Sequence, residues 1–370
     1  MQLRRLIFQT RIQAVCYAYL FLRLRANMKI LIYTDLQADI GSERLHSDPT
    51  KSLRLHCVEK FFEDLKHIYQ TYGCSALYDL GDTFDDRNAI EIPTLNAVLH
   101  GLRKLPNKGL NVRTVGNHDQ YQLDGSIHNG QVLEPFFKTV STTLIKEMEG
   151  FTAFYVAYPH DHTKLTEWLI AETRKVRGKR VLFGHFQVQG AVYKGAKALT
   201  GVPVDVLKSF ETVLLGHIHL PQTIAGNIHY IGSPFQQDWG EAGQIKRVAI
   251  FDTSTLTVQW VPLQGYPQYH TVSFSEFVEK STNPSEDRFH VKLKTHAETE
   301  KFLTHPEFGK ATSEYCYDAI ETQASTEKDE ADWSFDSLCR RYMSTVPPEK
   351  VGIDMPLDEL LESAHSILET

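Results

Sequence analysis

The sequence predicts an α/β fold of two packed sheets, and three observations carry that expectation. From Met28 onward, short apolar runs alternate with amphipathic helical segments, as βαβ units and a parallel or mixed sheet require. Five of the apolar runs end in a loop that carries Asp, Asn or His. Past Leu220 the connections shorten from helical crossovers to hairpins, so a second sheet packed on the first is expected.

Taken in order, Lys29 to Thr34 reads as a strand that opens into Asp35-Leu36-Gln37. A polar loop leads to a helix over about Thr50 to Tyr72, with Leu53, Cys57, Phe61, Leu65 and Ile68 at helical spacing. Ala76 to Leu80 is a buried strand that opens into Gly81-Asp82-Thr83-Phe84-Asp85-Asp86-Arg87. A helix with Pro93 early in it presents Leu95, Val98, Leu99 and Leu102 on one face, and strand Val112 to Val115 then opens into Gly116-Asn117-His118-Asp119. Phe154 to Ala157 is a short strand, and a helix over Lys164 to Arg174 follows. Arg180 to Phe183 runs into Gly184-His185, and Thr212 to Leu215 runs into Gly216-His217-Ile218-His219. Hairpins turn about Gly226-Asn227 and about Thr253-Ser254-Thr255.

After Gly265-Tyr266-Pro267 the composition shifts. Arg288 to Lys294, a helix near Ala297 to Leu303, and Tyr315 to Glu321 read as a small βαβ accessory unit. Residues 323–332 are polar and acidic and read as a linker. Two helices are expected beyond it, at 333–343 and 356–369. Leu357, Leu360, Leu361, Ala364, Ile367 and Leu368 share one face of the second, which suits either this chain's own core or a partner's groove. The expected division is thus an extension at 1–27, a main domain at 28–264, an accessory domain at 265–322, the linker, and helices at 333–370.

With 370 residues, 42% of them hydrophobic, the chain can bury one large core and one or two small ones. A net charge of -7 argues against a dominant basic field, so a nucleic-acid substrate would need metals or a partner to share the electrostatic work. The 5 cysteines are scattered and form no paired motif, as expected of reduced thiols in the cytoplasm. In residues 1–27, arginines flank an apolar patch from Ala14 to Leu22 that is too short to span a bilayer. This segment reads as a loose tail or a mis-set start ahead of Met28, with a basic amphipathic anchor as the alternative.

The polar residues at the strand ends are Asp35, Gln37, Asp82, Asn117, His118, His185, His217 and His219. Strand ends in α/β sheets aim several side chains at one point while the sheet behind stays rigid. Carboxylates to hold and bridge divalent ions, imidazoles that suit Mn, Fe or Zn, and one neutral amide oxygen make a two-metal phosphoesterase donor set. Two ions about 3.5–4 Å apart bind phosphate oxygens and generate hydroxide near neutral pH. The glycine before each ligand allows close backbone approach.

These motifs, in this order over about Met28 to Leu263, resemble the calcineurin-like metallophosphoesterases, whose pattern is D-x-H, G-D-x-x-D, G-N-H-D/E, G-H and G-H-x-H. The resemblance implies a four-layer α/β/β/α sandwich of two mixed sheets with a small α+β capping domain and C-terminal helices. It implies Asp82 as the bridging ligand, with Asp35, Gln37 and His219 completing one metal site and Asn117, His185 and His217 the other. His118 would be the general acid, oriented by Asp119. The first motif departs from the family by ending in Gln37, whose amide oxygen suits Mn or Mg better than zinc or iron. The alternative is that Gln37 faces solvent and water takes its place. Two divalent ions are expected, with Mn2+ favoured and Mg2+ the second choice.

A second phrase, Tyr230-Ile231-Gly232-Ser233-Pro234-Phe235-Gln236-Gln237-Asp238-Trp239-Gly240-Glu241 followed by Lys246-Arg247-Val248, resembles SbcD-type DNA repair nucleases and their phage recombination counterparts. It implies DNA as substrate, an SbcC-like ATPase as partner, and a homodimer. Among the basic residues near these motifs, Arg87, Arg113, Lys194, Lys197, Lys246 and Arg247, only Arg87 is placed by its motif to meet a phosphate. The alternatives are a phosphomonoesterase or small-molecule phosphodiesterase of the same superfamily, and a scaffold subunit with a dead metal site, which only Gln37 favours.

Overall fold

The computed structural model of the chain describes residues 28–307, apart from 46, 107–108, 194 and 282–285. The expected extension, the strand at 315–321, the acidic linker and the two C-terminal helices lie outside the described residues.

Two six-stranded mixed sheets face each other. The first is built from β1 (Lys29–Tyr33), β2 (Ala76–Asp79), β3 (Val112–Thr114), β4 (Lys138–Val140), β13 (Arg247–Asp252) and β14 (Thr257–Pro262), in the order β14-β13-β1-β2-β3-β4. The second is built from β5 (Thr143–Met148), β6 (Phe151–Val156), β7 (Arg180–His185), β10 (Thr212–Gly216), β11 (Gln222–Ile224) and β12 (Ile228–Tyr230), in the order β11-β12-β10-β7-β6-β5. A small hairpin, β8 (Val192–Tyr193) with β9 (Ala196–Lys197), stands apart from both.

Strands β1, β2, β3 and β4 are parallel neighbours, and so are β6, β7, β10 and β12. Within each set the carboxyl ends therefore open on one edge. The late hairpins do not form the second sheet by themselves, contrary to the sequence reading. Only β11–β12 joins it, whereas β13–β14 returns to the first sheet and pairs antiparallel with β1.

Three apolar layers make the four-layer sandwich. Between the sheets lie Ile30, Ile32, Tyr78, Tyr155, Phe183 and Phe251. Helices α1 (Leu53–Thr71) and α2 (Ile92–Arg103) cover the outer face of the first sheet through Phe61, Leu65 and Val98 against Leu31 and Leu77. Helices α3 (His162–Lys175) and α4 (Val204–Leu207) cover the second, with Leu165, Leu169 and Leu207 against Leu182 and Val213.

The helix starts follow local chemistry. Ser52 caps α1 by accepting from the Leu55 amide, Asp161 caps α3 by accepting from Thr163 and Lys164, and Pro93 occupies the first turn of α2, where it sacrifices no hydrogen bond. Packing of its apolar face, Leu53, Cys57, Phe61, Leu65 and Ile68, supplies most of the stability of α1, as for helices in proteins generally.

Within the stretch expected to hold the accessory domain, the βαβ unit is built from other elements than the sequence suggested. Strand β15 (Tyr269–Ser273), helix α5 (Phe274–Lys280) and parallel strand β16 (Arg288–Lys292) form the βαβ unit, and α6 (His296–Leu303) follows. Its core is Val272, Phe277, Phe289, Val291 and Phe302. The Tyr269 amide donates to the Gln236 side chain, and the Tyr269 ring meets Trp239 edge-on. The unit is therefore tied to the segment that follows the last histidine motif.

Candidate metal centre

Every residue read from the strand ends as a metal ligand arrives at the same edge. Asp35 leaves β1, Asp82 follows β2 and Asn117 follows β3, while His185 ends β7 and His217 and His219 follow β10. Asp35, Asp82 and His185 form a buried cluster whose ligand atoms all lie within 4.8 Å of one another. Nε2 of His185 is 3.1 Å from Asp82 Oδ2, 3.9 Å from Asp35 Oδ1 and 3.2 Å from Asn117 Oδ1. His217 Nδ1 is 2.8 Å from Asn117 Oδ1, and His219 Nε2 is 3.9 Å from Asp35 Oδ1. His185 is thus within reach of Asp35, Asp82 and Asn117 alike, with His217 beside Asn117 and His219 beside Asp35. Gln37 lines the cleft over the cluster together with Asp82, Asn117, His118, His217 and His219.

Backbone geometry at these ligands is unusual. Asp35 (φ 52), Gln37 (φ 42), Asp82 (φ 57) and His217 (φ 92) all sit at positive φ, and among the described non-glycine residues only Ala225 and Leu256 share that property. Such conformations persist where surrounding structure over-determines them. Here the two loops brace each other: Asp35 N donates to the Gly81 carbonyl, Gln37 N to the Asp82 carbonyl and Ala38 N to the Thr83 carbonyl. The His217 amide donates to the Asp35 carboxylate.

Glycines before the ligands have the steric role the sequence suggested. A Cβ on Gly116 would come within 2.0 Å of Asp82 Oδ1, and one on Gly216 within 2.0 Å of Thr34 Oγ1 and 2.8 Å of His185 Nδ1.

Hydrogen bonds fix the imidazoles. His185 Nδ1 donates to the Leu80 carbonyl at 2.7 Å, and His219 Nδ1 lies 2.6 Å from Glu241 Oε1, so each presents Nε2 to the cluster. Burial alone would push the His185 pKa down, but the Asp82 carboxylate overrides it and raises it to about 9. Burial would likewise raise Asp82, and the His185 imidazole instead holds it well below the usual carboxylate range. His217, desolvated and beside His185, is driven down to about 3 and stays neutral. Burial raises Asp35. Two buried carboxylates facing imidazoles that offer fixed lone pairs are a donor set that divalent cations fit.

His118 stands at the rim. Its amide donates to Asp82 Oδ1 at 2.8 Å and its Nδ1 donates to the Asp85 carbonyl at 2.6 Å. This corrects one expectation, because Asp119 does not orient His118. Asp119 is fully buried and its Oδ2 accepts the amides of Asp82 and Gly116, while its Oδ1 pairs with Arg113 at 2.9 Å. Asp119 holds the two strand-end loops together, and the Asp85 backbone orients the histidine.

Several basic residues are also reassigned. Arg113 is fully buried between Asp79 and Asp119 and cannot reach a phosphate. Lys246 is buried against Glu241 at 2.7 Å, and Arg247 lies over the Trp260 ring. Lys197 lies in the exposed β8–β9 hairpin, and Lys194 falls outside the described residues. Arg87 is exposed in the loop after Phe84, and its charge offsets part of the rise that burial and Asp82 impose on the Tyr158 pKa.

The Tyr230 to Glu241 phrase has a structural role that its sequence alone does not reveal. Gln237 Nε2 donates to the Asp35 carbonyl at 2.8 Å, and Glu241 links His219 to Lys246 and Ser233. The phrase braces both ends of one half of the centre. Lys246 and His219 together hold Glu241 down to about 2 against its burial.

No protein-family model matches the chain. Over 203 residues, 51% of this chain and 56% of the relative, it is 28% identical to exonuclease subunit 1 of Enterobacteria phage T4. Over 194 residues, 49% of this chain and 47% of the relative, it is 24% identical to the SbcD component of the SbcCD nuclease of Staphylococcus saprophyticus. The chain thus spans about half the length of the curated relatives it matches. Among solved structures, the calcineurin-like phosphoesterase YfkN from Bacillus subtilis aligns with 61% of this chain and 84% of its own, at 14% identity and a TM-score of 0.36. No helix among the described residues is long and apolar enough to cross a membrane.

Proposed function

We propose that this homologue of phage and bacterial nuclease subunits is a metal-dependent phosphodiester hydrolase that cleaves DNA, as an exonuclease or endonuclease, in concert with an SbcC-like ATPase. The observation that carries the proposal is the convergence of Asp35, Asp82, Asn117, His185, His217 and His219 on one point of one strand edge, with His118 beside it.

The residues would divide two divalent ions, with Mn2+ favoured and Mg2+ the second choice, as the sequence suggested. Asp82 would be shared, Asp35, Gln37 and His219 would hold one ion, and Asn117, His185 and His217 the other. Bound ions of this kind supply Lewis acidity toward phosphoryl oxygens and a route to hydroxide near neutral pH.

The chain's own groups do the rest. Glu241 and the Leu80 carbonyl lock His219 and His185 in the tautomer that offers Nε2. His118, anchored at Nδ1 by the Asp85 carbonyl, carries a proton on Nε2 to the leaving oxygen. Exposed Arg87 meets a flanking phosphate of the strand. The acidic net charge of -7 fits a subunit that borrows DNA affinity from its partner. In this reading the accessory unit supplies a DNA cap, the helices expected from the sequence at 333–370 supply an ATPase-docking segment, and the cytoplasm is the setting.

The test is a Mn2+-dependent cleavage assay on linear and single-stranded DNA, with and without the ATPase subunit, comparing wild type with His118→Ala. The variant is expected to bind its metals and to lose roughly 10²–10⁴-fold in turnover. Activity confined to a chromogenic phosphate ester would instead establish the small-molecule phosphoesterase reading. Wild type that cleaves neither would sink both.

A further inference from the structure

The edge that presents the ligands continues past them. Strand β6 runs parallel to β7 as its neighbour, so its exit at Ala157 and Tyr158 opens on the same side as His185. A second pocket, about 490 Å³, lies there between the β6 exit, the β4–β5 turn at residues 141–143, the first turns of α3 and the loop that follows the Asn117-His118 motif. Val156, Ala157, Leu165 and half-buried Trp168 give it apolar and aromatic walls, and its rim carries Ser141 and Thr142 together with the charged Asp124, Asp161 and Lys164. Leu123, at the same rim, leaves 66% of its surface exposed.

Tyr158 is the partition between this pocket and the metal centre. Its ring centroid is 5.2 Å from that of His217 and 6.2 Å from that of His185, and its carbonyl is held by Gln120 at 2.9 Å. The pocket therefore adjoins the proposed phosphate site with one side chain's thickness between them. A flat group with two π-faces and a polar edge suits aromatic walls and a polar rim, and a nucleotide presents such a base beside its phosphate.

We infer that this pocket is a nucleobase subsite. It takes the base of the nucleotide whose phosphate lies over Asp82 and His217, with Trp168 as the stacking wall and Tyr158 setting the distance from base to scissile bond. The inference rests on the proposed phosphodiesterase reading and names where its substrate is gripped. Continuity with the ligand-bearing edge through Tyr158 selects a nucleotide as occupant over a peptide side chain.

The experiment uses the full chain with Mn2+ and compares binding of deoxyadenosine monophosphate and deoxyribose 5-phosphate by calorimetry. The two ligands share a phosphate and differ by the base. Wild type should prefer the nucleotide by about ten-fold, the range expected of one stacked base. Trp168→Ala should reduce that preference to within about two-fold and raise the KM for DNA without a matching loss of kcat.

Trp168 also packs edge-on against Phe154, so its removal perturbs the fold. A second variant, Thr142→Trp, fills the pocket from an exposed rim position and should have the same effect, whereas Trp168→Phe should keep the preference. Equal binding of the two ligands by wild type, as expected if a protein partner occupies the pocket, overturns the inference. So does a preference that survives both Trp168→Ala and Thr142→Trp. Loss of the preference in both variants supports the subsite even if wild type fails to cut DNA, an outcome that would strike only the nuclease reading.

Discussion

Replacing Arg113 with Met should cost about 3–5 kcal/mol of stability, because it strands two buried carboxylates. The Arg113 side chain is fully buried, on β3 opposite Asp79 of β2, and Nε lies 3.2 Å from Asp79 Oδ2. Nη2 lies 2.9 Å from Asp119 Oδ1 and 3.2 Å from Thr83 Oγ1. One guanidinium thus offsets two carboxylates. Burial raises the Asp79 pKa, and Arg113 is the main influence that lowers it. Methionine fills much of the same volume, so the loss reports charge and hydrogen bonding more than a cavity. Lysine presents one compact ammonium in place of a fork and should recover only part of the loss. Urea unfolding at pH 7.5 measures the effect, and a double-mutant cycle with Asp79→Asn isolates the pair, with a coupling of at least about 1 kcal/mol expected. A loss under about 1 kcal/mol for Arg113→Met, or no coupling to Asp79, would refute the reasoning. A functional consequence accompanies the loss: Asp119, no longer anchored, holds the Asp82 and Gly116 amides less firmly, and Mn2+ affinity should fall with stability.

The other predictions concern the metals. Gln37→His restores an imidazole where the related motif has one and should tighten the weaker Mn2+ or Zn2+ site, measured by equilibrium dialysis; unchanged affinity would place residue 37 outside the ligand set. Glu241→Gln removes the anion that orients His219 and should weaken metal binding by about 10–100-fold, checked by calorimetry, and because it also leaves buried Lys246 without its carboxylate it should lower the melting temperature read by circular dichroism. In the metal-free protein His185 is raised to about 9, above its ordinary value of about 6.5. Its pairing with Asp82 therefore stabilises that form fully below about pH 6.5, and the contribution is lost as pH rises through about 9. Metal ligation needs the neutral ring, so Mn2+ binding at pH 7.5 should release close to one proton and tighten as pH rises toward 9. Calorimetry in two buffers of different ionisation enthalpy reads the proton directly, and none released would contradict the assignment.

The candidate centre was legible because its residues follow short apolar runs and its glycines precede them, so both signals are local. What the sequence hid depends on partners distant along the chain. Strand β5, Thr143–Met148, carries Lys146 and Glu147 in its middle and offered no clean alternation, because it is an edge strand paired only with β6. Hairpin β13–β14 was read correctly as a hairpin, yet periodicity carries no information about which sheet receives it. Asp119 looked like the partner of His118 because it is the next residue. At a tight turn, neighbours point apart, and its true partner, Arg113, lies on the preceding strand facing inward. Glu241 and Gln237 were visible as part of a phrase, but their contacts with His219 and Asp35 close across the fold.

The positive-φ residues of the candidate centre link these local and distant signals. A left-handed residue other than glycine costs of order 1–3 kcal/mol, and a strand end that needed only to turn would use glycine. At Asp35, Gln37, Asp82 and His217 a side chain stands where glycine would turn more cheaply, as the proposed centre requires. The cost is met by contacts among the loops themselves: Asp35 and Gln37 donate to the second motif, His217 donates back to Asp35, and Asp119 clamps the second motif to the third. Each motif is held in its strained shape by another motif. Through that mutual bracing, the buried ion pair beneath the centre, between Arg113 and Asp119, should bear on metal affinity although neither residue faces the cleft.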